Sequence, residues 1–448
     1  MKVAIVGTGY VGLTTGVCLA YLGHQVTCLD TDPRKVEALR AGRIPIYEPH
    51  LDELLAAASA NLTFTVSYEE AVPQAEVIFI AVGTPSSGDG SPDLRYLRAA
   101  AESVGRHMGD HFTVIVNKST VPIGSGNWVG SLLRQARGAN GSFAVASNPE
   151  FLREGVALRD SLYPDRIVIG ADVPRALEVL YTLYRPLLDQ TFTAPAFLPR
   201  AEDCSAVPLV STDLASAELI KYAANAFLAL KISYINEIGT IAERVGADVQ
   251  QVARGIGLDA RIGTRFLQAG IGWGGSCFGK DTAALIATGR DYNLQMPIVE
   301  AAREVNRAQR RRVVEKLLGE LKILKGRTIA MLGLAFKAHT DDLRDAPALE
   351  IARLLVERGA QVRAHDPIAM EHARAQLPAE DVQLCASAEE ALRDADAAVL
   401  TTEWPQYLEL DWEALLASMR TPVLLDGRGV LDKVRLRAAG YRLLTLAG

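Results

Sequence analysis

Apolar runs alternate with amphipathic segments along the first 170 residues of the chain. Val3–Val6 has the pattern of a buried strand, three glycines follow it, and Thr14–Leu22 has the pattern of a helix. His24–Leu29 then resembles a second strand, which ends at Asp30. Further runs of buried-strand type follow at Val77–Val82, Thr113–Val116, Phe143–Ala146 and Arg166–Ile169. This alternation predicts a parallel sheet with helices on both faces.

The segment from Asp213 to about Val245 has a different pattern. It contains no proline and no glycine before Gly239, and its apolar residues recur at helical spacing. It predicts one helix much longer than the usual 11–12 residues or so. Because its apolar residues lie on more than one side, we expect it to connect domains and to form the spine of a homodimer.

The opening pattern recurs after Arg327. TIAMLGLAF resembles KVAIVGTGY, GAQVRAHDP resembles GHQVTCLDTDP, and ADAAVLTTEW resembles AEVIFIAVGT. The predicted fold class is therefore α/β, with two Rossmann-like doubly wound domains joined by a long central helix and a helical dimerisation region. We place a nucleotide-binding domain at 1–205, the central helical domain at 206–310 and the second Rossmann-like domain at 311–448. The second copy lacks the full glycine pattern, so we expect it to bind something other than a whole dinucleotide.

Composition narrows the class of protein. The 448 residues are 49% hydrophobic and 22% charged, which is typical of a globular protein, and the net charge is −6 without a basic run. Nucleic acid and anionic membranes are therefore not expected partners. The five scattered cysteines show no CxxC pair, so neither disulfides nor a metal site is expected. With no signal-peptide pattern and no apolar run approaching 18 residues, we expect a cytoplasmic protein.

The first glycine turn predicts a dinucleotide site. Gly7, Gly9 and Gly12 form GxGxxG between a strand and a helix, with Asp30 at the end of the next strand. The glycines allow the pyrophosphate to approach the helix N-terminus, and the Asp30 carboxylate suits ribose hydroxyls but repels a 2′-phosphate, which favours NAD over NADP. A tight turn without a ligand is the weaker alternative. Lys35 either flanks the ribose or is a solvated helix charge.

Cys277 is the candidate nucleophile. It lies in the glycine-rich segment GWGGSCFGKD, where a ligand can approach the backbone closely, and Lys280 and Asp281 follow it. A thiolate is nucleophilic and is favoured near cations. For the other four cysteines a small buried apolar side chain is the better interpretation.

Two further pairs have helical spacing. If NPEFLREG enters a helix, Glu150 and Glu154 share a face and suit general-base chemistry, although acidic residues are also common at helix starts. Lys221 and Asn225 are spaced i, i+4 on the long helix and can point at one ligand. An ordinary polar stripe is the alternative for the second pair.

Ordered motifs over nearly the whole length resemble the nucleotide-sugar 6-dehydrogenase family. They are GTGYVG, IPIYEP, VGTP with DGSPDL, STVPIG, NPEFLREG, DRIVIG, ELIKYAANAFLALKISYINEI, GLDARIG, GIGWGGSCFGKD, LGLAFK with TDDLRDAP, and DGRGVLD. The resemblance implies oxidation of a sugar C6 alcohol to a carboxylate in two NAD-dependent steps. UDP-glucose is the expected substrate and UDP-glucuronate the expected product.

The resemblance also implies residue roles. Cys277 would attack the aldehyde to give a thiohemiacetal, and the thioester that follows would be hydrolysed. Lys221 and Asn225 would stabilise oxyanions, Glu150 would act as a base through water, and Asp281 would position or activate water. The implied catalytic set is Cys277, Lys221, Asn225, Asp281, Glu150 and Thr120. The implied NAD contacts are Gly7, Gly9, Tyr10, Val11, Gly12, Asp30, Lys35, Thr84, Pro85, Thr120, Glu154, Lys280 and Arg344.

The implied substrate contacts come from several segments, and Arg261 would reach the substrate across the dimer interface. They are Glu150, Phe151, Leu152, Arg153, Glu154, Lys221, Asn225, Arg261, Phe266, Leu267, Gln268, Gly270, Gly274, Phe336, Lys337 and Arg428.

Two alternatives remain open. The same chemistry on UDP-N-acetylmannosamine, UDP-N-acetylglucosamine or GDP-mannose would keep every reactive residue. A silent nucleotide-binding sensor would keep the fold but has no use for the reactive set, which is complete here.

Overall fold

The chain folds into two compact units. The computed structural model describes residues 1–85, 87, 90–138, 142–202, 204–378 and 380–446. One unit comprises Met1–Ala224 with Ala283–Tyr292, and the other comprises Asn225–Thr282 with Asn293–Gly448.

The sheet of the first unit has the order β3-β2-β1-β4-β5-β6-β7-β8. Its strands are β1 (Lys2–Val6), β2 (Gln25–Leu29), β3 (Leu62–Thr65), β4 (Val77–Ile80), β5 (Thr113–Asn117), β6 (Phe143–Ser147), β7 (Ile167–Ala171) and β8 (Leu209–Thr212). Neighbouring strands are parallel, except that β7 runs antiparallel to β6. The order of the first six strands is that of a dinucleotide-binding Rossmann fold, which confirms the prediction for this half.

Helices cover both faces of this sheet. They are α1 (Tyr10–Tyr21), α2 (Pro33–Arg40), α3 (Leu51–Ala58), α4 (Tyr68–Ala71), α5 (Arg95–His107), α6 (Ser125–Arg137), α7 (Ala157–Leu162) and α8 (Pro174–Leu188), with a short 3₁₀ turn at Ser59–Asn61. Successive β1 residues alternate between the two cores, since Val3 and Ile5 join one apolar cluster while Ala4 and Val6 join the other. Helix α1 begins at Tyr10, earlier than the apolar pattern predicted, because the glycine turn itself enters the helix.

The long central helix is present. It is α9 (Leu214–Val245), 32 residues in length, and it is followed by α10 (Val249–Gly257), α11 (Phe278–Asp291) and α12 (Pro297–Leu321). Ser233 on α9 donates to the Ala302 carbonyl on α12, and Trp273 donates its indole N–H to the Ser233 hydroxyl. These buried bonds fix the glycine loop before α11 against two long helices.

The second unit repeats the Rossmann order. Its sheet runs β11-β10-β9-β12-β13-β14, with neighbouring strands parallel. The strands are β9 (Thr328–Leu332), β10 (Gln361–His365), β11 (Val382–Leu384), β12 (Ala397–Leu400), β13 (Val423–Asp426) and β14 (Arg442–Thr445). The helices are α13 (Pro347–Glu357), α14 (Met370–Gln376), α15 (Ala388–Leu392), α16 (Pro405–Leu408), α17 (Trp412–Leu416) and α18 (Lys433–Ala439). The internal repeat predicted from sequence is therefore a repeat of topology.

The described residues contain neither a membrane-spanning helix nor a cluster of metal-ligating side chains. No helix there has the length and apolar character needed to cross a bilayer. In the same ranges, no group of three or more histidine, cysteine, aspartate or glutamate side chains is placed to hold a metal ion.

Candidate active site

The glycine turn after β1 is shaped for close approach. Gly7 has a φ of +100°, and a Cβ on Gly12 would lie 1.9 Å from the Gly7 carbonyl oxygen, so both positions require glycine. A Cβ on Gly9 would meet no protein atom within 4 Å, which leaves open space beside the N-terminus of α1. Tyr10 and Val11 form the first turn of that helix. The arrangement suits a pyrophosphate.

Asp30 follows β2 at the edge of this turn. Its Oδ2 accepts from the Thr8 amide at 2.9 Å and the Thr8 hydroxyl at 2.8 Å, and its Oδ1 accepts from the Asp32 amide at 3.0 Å. Burial alone would raise the pKa of Asp30, but these bonds and the Lys35 ammonium, 3.8 Å away, outweigh it and lower the pKa. Among the described residues, three hydrogen-bond donors fill three of about four lone-pair positions. One acceptor position therefore remains for a ribose hydroxyl, and these residues fit a dinucleotide.

The loops after β4 and β5 meet at the same end of the sheet. Thr84, which is buried, donates its hydroxyl to the Thr120 carbonyl at 2.8 Å. Pro85 is exposed next to it. The structure thus brings together Thr84, Pro85 and Thr120, three of the predicted cofactor contacts.

Glu48 is a buried residue of the motif IPIYEP, and no role was predicted for it from the sequence. It accepts from the Tyr10 hydroxyl, from the Gly155 amide at 2.7 Å and from the Ala157 amide at 2.6 Å. Burial raises the pKa of both Tyr10 and Glu48, and the Glu48 charge raises that of Tyr10 further. Glu48 therefore ties the start of α1 to the loop that carries Glu150 and Glu154.

That loop corrects one expectation. Residues 148–156 form no helix, and α7 begins only at Ala157, so Glu150 and Glu154 do not share a helix face. Glu150 Oε2 instead accepts from the Leu152 amide at 2.6 Å, and Arg153 pairs with Asp160 at 2.6 Å. These local bonds replace the helical hydrogen bonds that the spacing required.

Glu150 and Lys221 form a buried ion pair. Lys221 Nζ lies 2.8 Å from Glu150 Oε1, and the two residues are 3% and 6% exposed. Burial would raise the pKa of Glu150, but the charge and hydrogen bond of Lys221 outweigh it, so the pKa is lowered and the carboxylate is ionised. Phe151 covers this pair: the Lys221 ammonium lies 5.6 Å from its ring centre, and Arg166 stacks on the ring at 3.7 Å.

In the second unit, Cys277 directly precedes α11. Its Sγ lies 3.4 Å from the Ser276 hydroxyl, and its carbonyl accepts from the Asp281 amide at 2.8 Å. The N-terminal end of a helix favours negative charge. Asn225 donates to Asp281 Oδ2 at 2.6 Å, and both side chains are buried. Lys280 Nζ lies 3.9 Å from Asp281 Oδ1. Three predicted catalytic residues, Cys277, Asp281 and Asn225, are thus close together.

The glycine loop before Cys277 is held by α12. A Cβ on Gly274 would lie 2.3 Å from the Asp345 carbonyl oxygen, so this backbone contact requires glycine. Asn306 binds both the amide and the carbonyl of Trp273, at 2.7 and 2.9 Å. Arg310 donates to the same carbonyl and pairs with Asp345 at 2.9 Å. Asn306 and Arg310 were missed because nothing in their local sequence distinguishes them on a polar helix.

The turn after β9 differs from the turn after β1. Asp366 accepts from the Leu334 and Ala335 amides and the Trp404 indole on one oxygen, and from the Ile368 and Ala369 amides on the other. Its lone pairs are therefore saturated by protein donors. This result supports the expectation that the second unit does not bind a whole dinucleotide.

Most predicted substrate contacts of the second unit line two neighbouring surfaces. Arg428 donates to the carbonyls of Thr401 and Phe336 at 2.7 and 2.6 Å, and Lys337 lies 5.4 Å from the Phe336 ring centre. A cavity of about 380 Å³ is bounded in part by Leu267, Gln268, Gly270 and Arg428. Phe266 has a φ of +66°.

Two arginines that were predicted to bind ligands pair instead with aspartates two residues earlier in the chain. Arg344 pairs with Asp342 at 2.8 Å, and Arg261 pairs with Asp259 at 2.6 Å. The Arg261 side chain is 89% exposed. Its exposure leaves it available to another molecule.

The glycine turn after β1 and Asp30 at the end of β2, within a sheet of Rossmann order, are typical of an NAD-dependent dehydrogenase. Residues 1–188 match the NAD-binding domain of the UDP-glucose/GDP-mannose dehydrogenase family, residues 215–308 its central domain and residues 330–433 its UDP-binding domain. The chain belongs to this family.

Similar proteins cover the whole chain. A UDP-glucose 6-dehydrogenase of Bacillus subtilis is 46% identical over 98% of this chain and 92% of its own length. One from Rhizobium meliloti is also 46% identical, over 100% of this chain and 99% of its own. The structure of a UDP-glucose dehydrogenase from Pyrobaculum islandicum is 43% identical with a TM-score of 0.89, covering 99% of this chain and 97% of that one.

Proposed function

We propose that this protein oxidises C6 of UDP-glucose to give UDP-glucuronate, through a covalent intermediate on Cys277. One observation carries the covalent step: Cys277 stands at the start of α11, one turn before Asp281, which Asn225 holds by a 2.6 Å hydrogen bond. A dehydrogenase that stopped at the aldehyde would need no such nucleophile. The 46% identity to two UDP-glucose 6-dehydrogenases supports the choice of sugar.

The overall reaction balances with water as the source of the second oxygen. The alcohol and one water give the carboxylate, four electrons and five protons; two NAD take up the electrons with two protons, so three protons are released. When bound, NAD supplies the acceptor for a hydride in each of the two oxidations. The chain must therefore hold the aldehyde, admit one water and dispose of protons.

The proposed roles draw on the positions of five side chains. The Cys277 sulfur adds to the aldehyde carbon as a thiolate and retains that carbon until water hydrolyses the thioester. Lys221 and Asn225, one turn apart on α9, donate to the oxyanions. Glu150, held ionised by Lys221, receives protons through water, and Asp281 orients water for hydrolysis.

The binding roles remain those implied by the family. The residues assigned to NAD are Gly7, Gly9, Tyr10, Val11, Gly12, Asp30, Lys35, Thr84, Pro85, Thr120, Glu154, Lys280 and Arg344. Residues 150–154, Lys221, Asn225, Arg261, Phe266, Leu267, Gln268, Gly270, Gly274, Phe336, Lys337 and Arg428 are assigned to the UDP-sugar. The same proposal divides the chain into parts at 1–205, 206–310 and 311–448.

The test is the number of NADH produced per sugar consumed. UDP-glucose, UDP-N-acetylglucosamine, UDP-N-acetylmannosamine and GDP-mannose are offered separately. We expect two NADH per UDP-glucose and little from the others. Two NADH from another sugar would keep the chemistry and change the substrate, whereas NAD binding without turnover on any sugar would indicate a silent sensor.

Lys337→Ala is expected to weaken UDP-sugar binding with little effect on kcat. Removing one charge-assisted hydrogen bond costs about 1.5–3 kcal/mol, which corresponds to about a 10- to 100-fold higher KM. Initial rates at saturating NAD measure it, with Lys325→Ala, an exposed lysine of the same unit, as control. An unchanged KM would argue against a UDP-binding role for this turn.

The homodimer is proposed from one face of α9. Phe227, Tyr234 and Ile241 are spaced by seven residues and are 61%, 50% and 58% exposed, which gives an apolar stripe of the kind that pairs with another helix. The identical stripe of a second copy is the occupant that fits it, since a two-fold dimer buries the same surface twice. The exposed Arg261 lies in the same unit.

Tyr234→Asp is expected to weaken the dimer by about 30-fold or more, because losing a central aromatic contact costs about 2 kcal/mol. Light scattering across a dilution series measures the mass. Val434→Asp, on the exposed side of α18, is the matched control. A dimer of unchanged strength would exclude this face as the interface.

We also propose a cytoplasmic location. All five cysteines are free thiols, as expected in a reducing compartment.

A further inference from the structure

Lys118 is a half-buried lysine to which the proposed mechanism gives no role. It follows β5 directly, and its ammonium donates to Asn148 Oδ1 at 2.8 Å. The Tyr184 hydroxyl donates to the same oxygen at 2.6 Å, and Asn148 Nδ2 donates to the Val168 carbonyl at 2.7 Å. Asn148 is therefore held in place, and it holds the Lys118 ammonium; Glu150 follows Asn148 by two residues in the chain.

Lys118 and Glu150 line one cavity of the first unit. It has a volume of about 70 Å³, which is room for a few water molecules. Its wall includes partly exposed residues, among them Ser161, Pro164 and Arg166, so one side reaches the surface of the unit. One carboxylate oxygen of Glu150 therefore pairs with Lys221, and Glu150 and Lys118 line the same cavity.

Charged and titratable groups from several elements line the same cavity as Lys118 or act on its charge. They are Cys18 on α1, Glu150 in its loop, Asp160 on α7, Arg166 before β7, Tyr184 on α8 and Lys221 on α9. The pKa of Lys118 is lowered to about 8, chiefly by burial and also by the Lys221 charge, while Glu150 and Cys18 oppose the shift. Burial raises the pKa of Cys18 to about 12 and raises that of Tyr184, so neither loses its proton near neutrality.

We propose that Lys118 is a positioning residue that acts through Glu150, taking protons from this carboxyl through cavity water and releasing them to the solvent. This role rests on the proposed function, in which Glu150 receives protons. The neutral Lys118 amine accepts the proton from the Glu150 carboxyl, the carboxylate is regenerated, and the ammonium returns its proton to water. Transfer in this direction is favourable because the carboxyl is the stronger acid.

The relay predicts the pH dependence of kcat. Only the neutral amine can accept a proton, so at saturating substrates kcat should rise with pH through an ionisation near pH 8. Lys118→Met should lose that ionisation and turn over about 10-fold more slowly at pH 8. Small primary amines should restore part of the rate.

Two variants separate a relay from a structural charge. Lys118→Arg keeps the positive charge and a donor but cannot deprotonate, so it should be as slow as Lys118→Met. Lys118→Gln keeps a donor for Asn148 without charge and decides the matter if the Met variant fails to fold. Tyr184→Phe, which removes the other hydrogen bond to Asn148, is the control and should keep the ionisation.

The outcomes are distinct. An ionisation near pH 8 that survives in Lys118→Gln or Lys118→Met, or an arginine variant as active as the wild type, overturns the relay and leaves the proposed function intact. Wild-type protein that binds NAD but oxidises no UDP-glucose overturns the proposed function itself.

Discussion

Cys277→Ser is expected to keep NAD binding and to lose formation of the acid by about 10³-fold or more. A serine hydroxyl has a much higher pKa than a thiol, so the thiolate is the far stronger nucleophile at neutral pH. Without the covalent intermediate, the second oxidation has no thiohemiacetal on which to act. NADH counts and mass spectrometry of the sugar products measure the loss, and fluorescence titration measures NAD binding.

Cys204→Ser is the matched control, because Cys204 is also a partly exposed free thiol but lies far along the chain from the glycine loop. It should turn over like the wild type. Normal acid formation by Cys277→Ser would end the covalent mechanism while leaving the family assignment untouched.

Lys221→Met is expected to lower both activity and stability. Loss of one oxyanion donor lowers kcat by about 10²- to 10³-fold. Removal of one partner of a buried ion pair leaves Glu150 uncompensated, which costs about 3–5 kcal/mol and lowers Tm by about 10 °C. Calorimetry and initial rates measure the two effects.

The pH dependence and a double variant separate these effects. Lys221 is what lowers the pKa of Glu150, so in Lys221→Met that pKa rises. The destabilisation should therefore be full above the raised pKa and shrink as the pH falls through it, because a protonated carboxyl needs no cation. Lys221→Met with Glu150→Gln should recover stability but not activity. Recovery of both would show that neither Lys221 nor Glu150 takes part in the chemistry.

Much of the fold follows from local sequence signals. Strands β1 and β2 and the turn between them were predicted because GTGYVG followed by Asp30 is typical of one βαβ unit, all within a short stretch of chain. The order of the second sheet followed from the repeat. The helix proposed for NPEFLREG was wrong. Glu150 accepts from the Leu152 amide and Arg153 binds Asp160, and these bonds stabilise a loop that i, i+4 spacing does not reveal.

The long-range parts of the site were beyond sequence reasoning. Asn225 and Asp281 are 56 residues apart in the chain, and Lys118 and Asn148 are 30 residues apart. Such pairs depend on how helices pack, which the local pattern does not encode. Glu48 stood in a recognised motif, but its partners Gly155 and Ala157 lie more than 100 residues away.

The two aspartates that end β2 and β10 have a wider consequence. Both occupy the same place in the same strand order, yet Asp30 keeps an acceptor position while Asp366 is saturated, in part by the Trp404 indole. The same strand order can therefore end in an aspartate that still has an acceptor position or in one whose positions the protein fills. Replacing Trp404 alone would leave four backbone amides on Asp366, so turning the second unit into a dinucleotide binder would require a different backbone path in the turns around it.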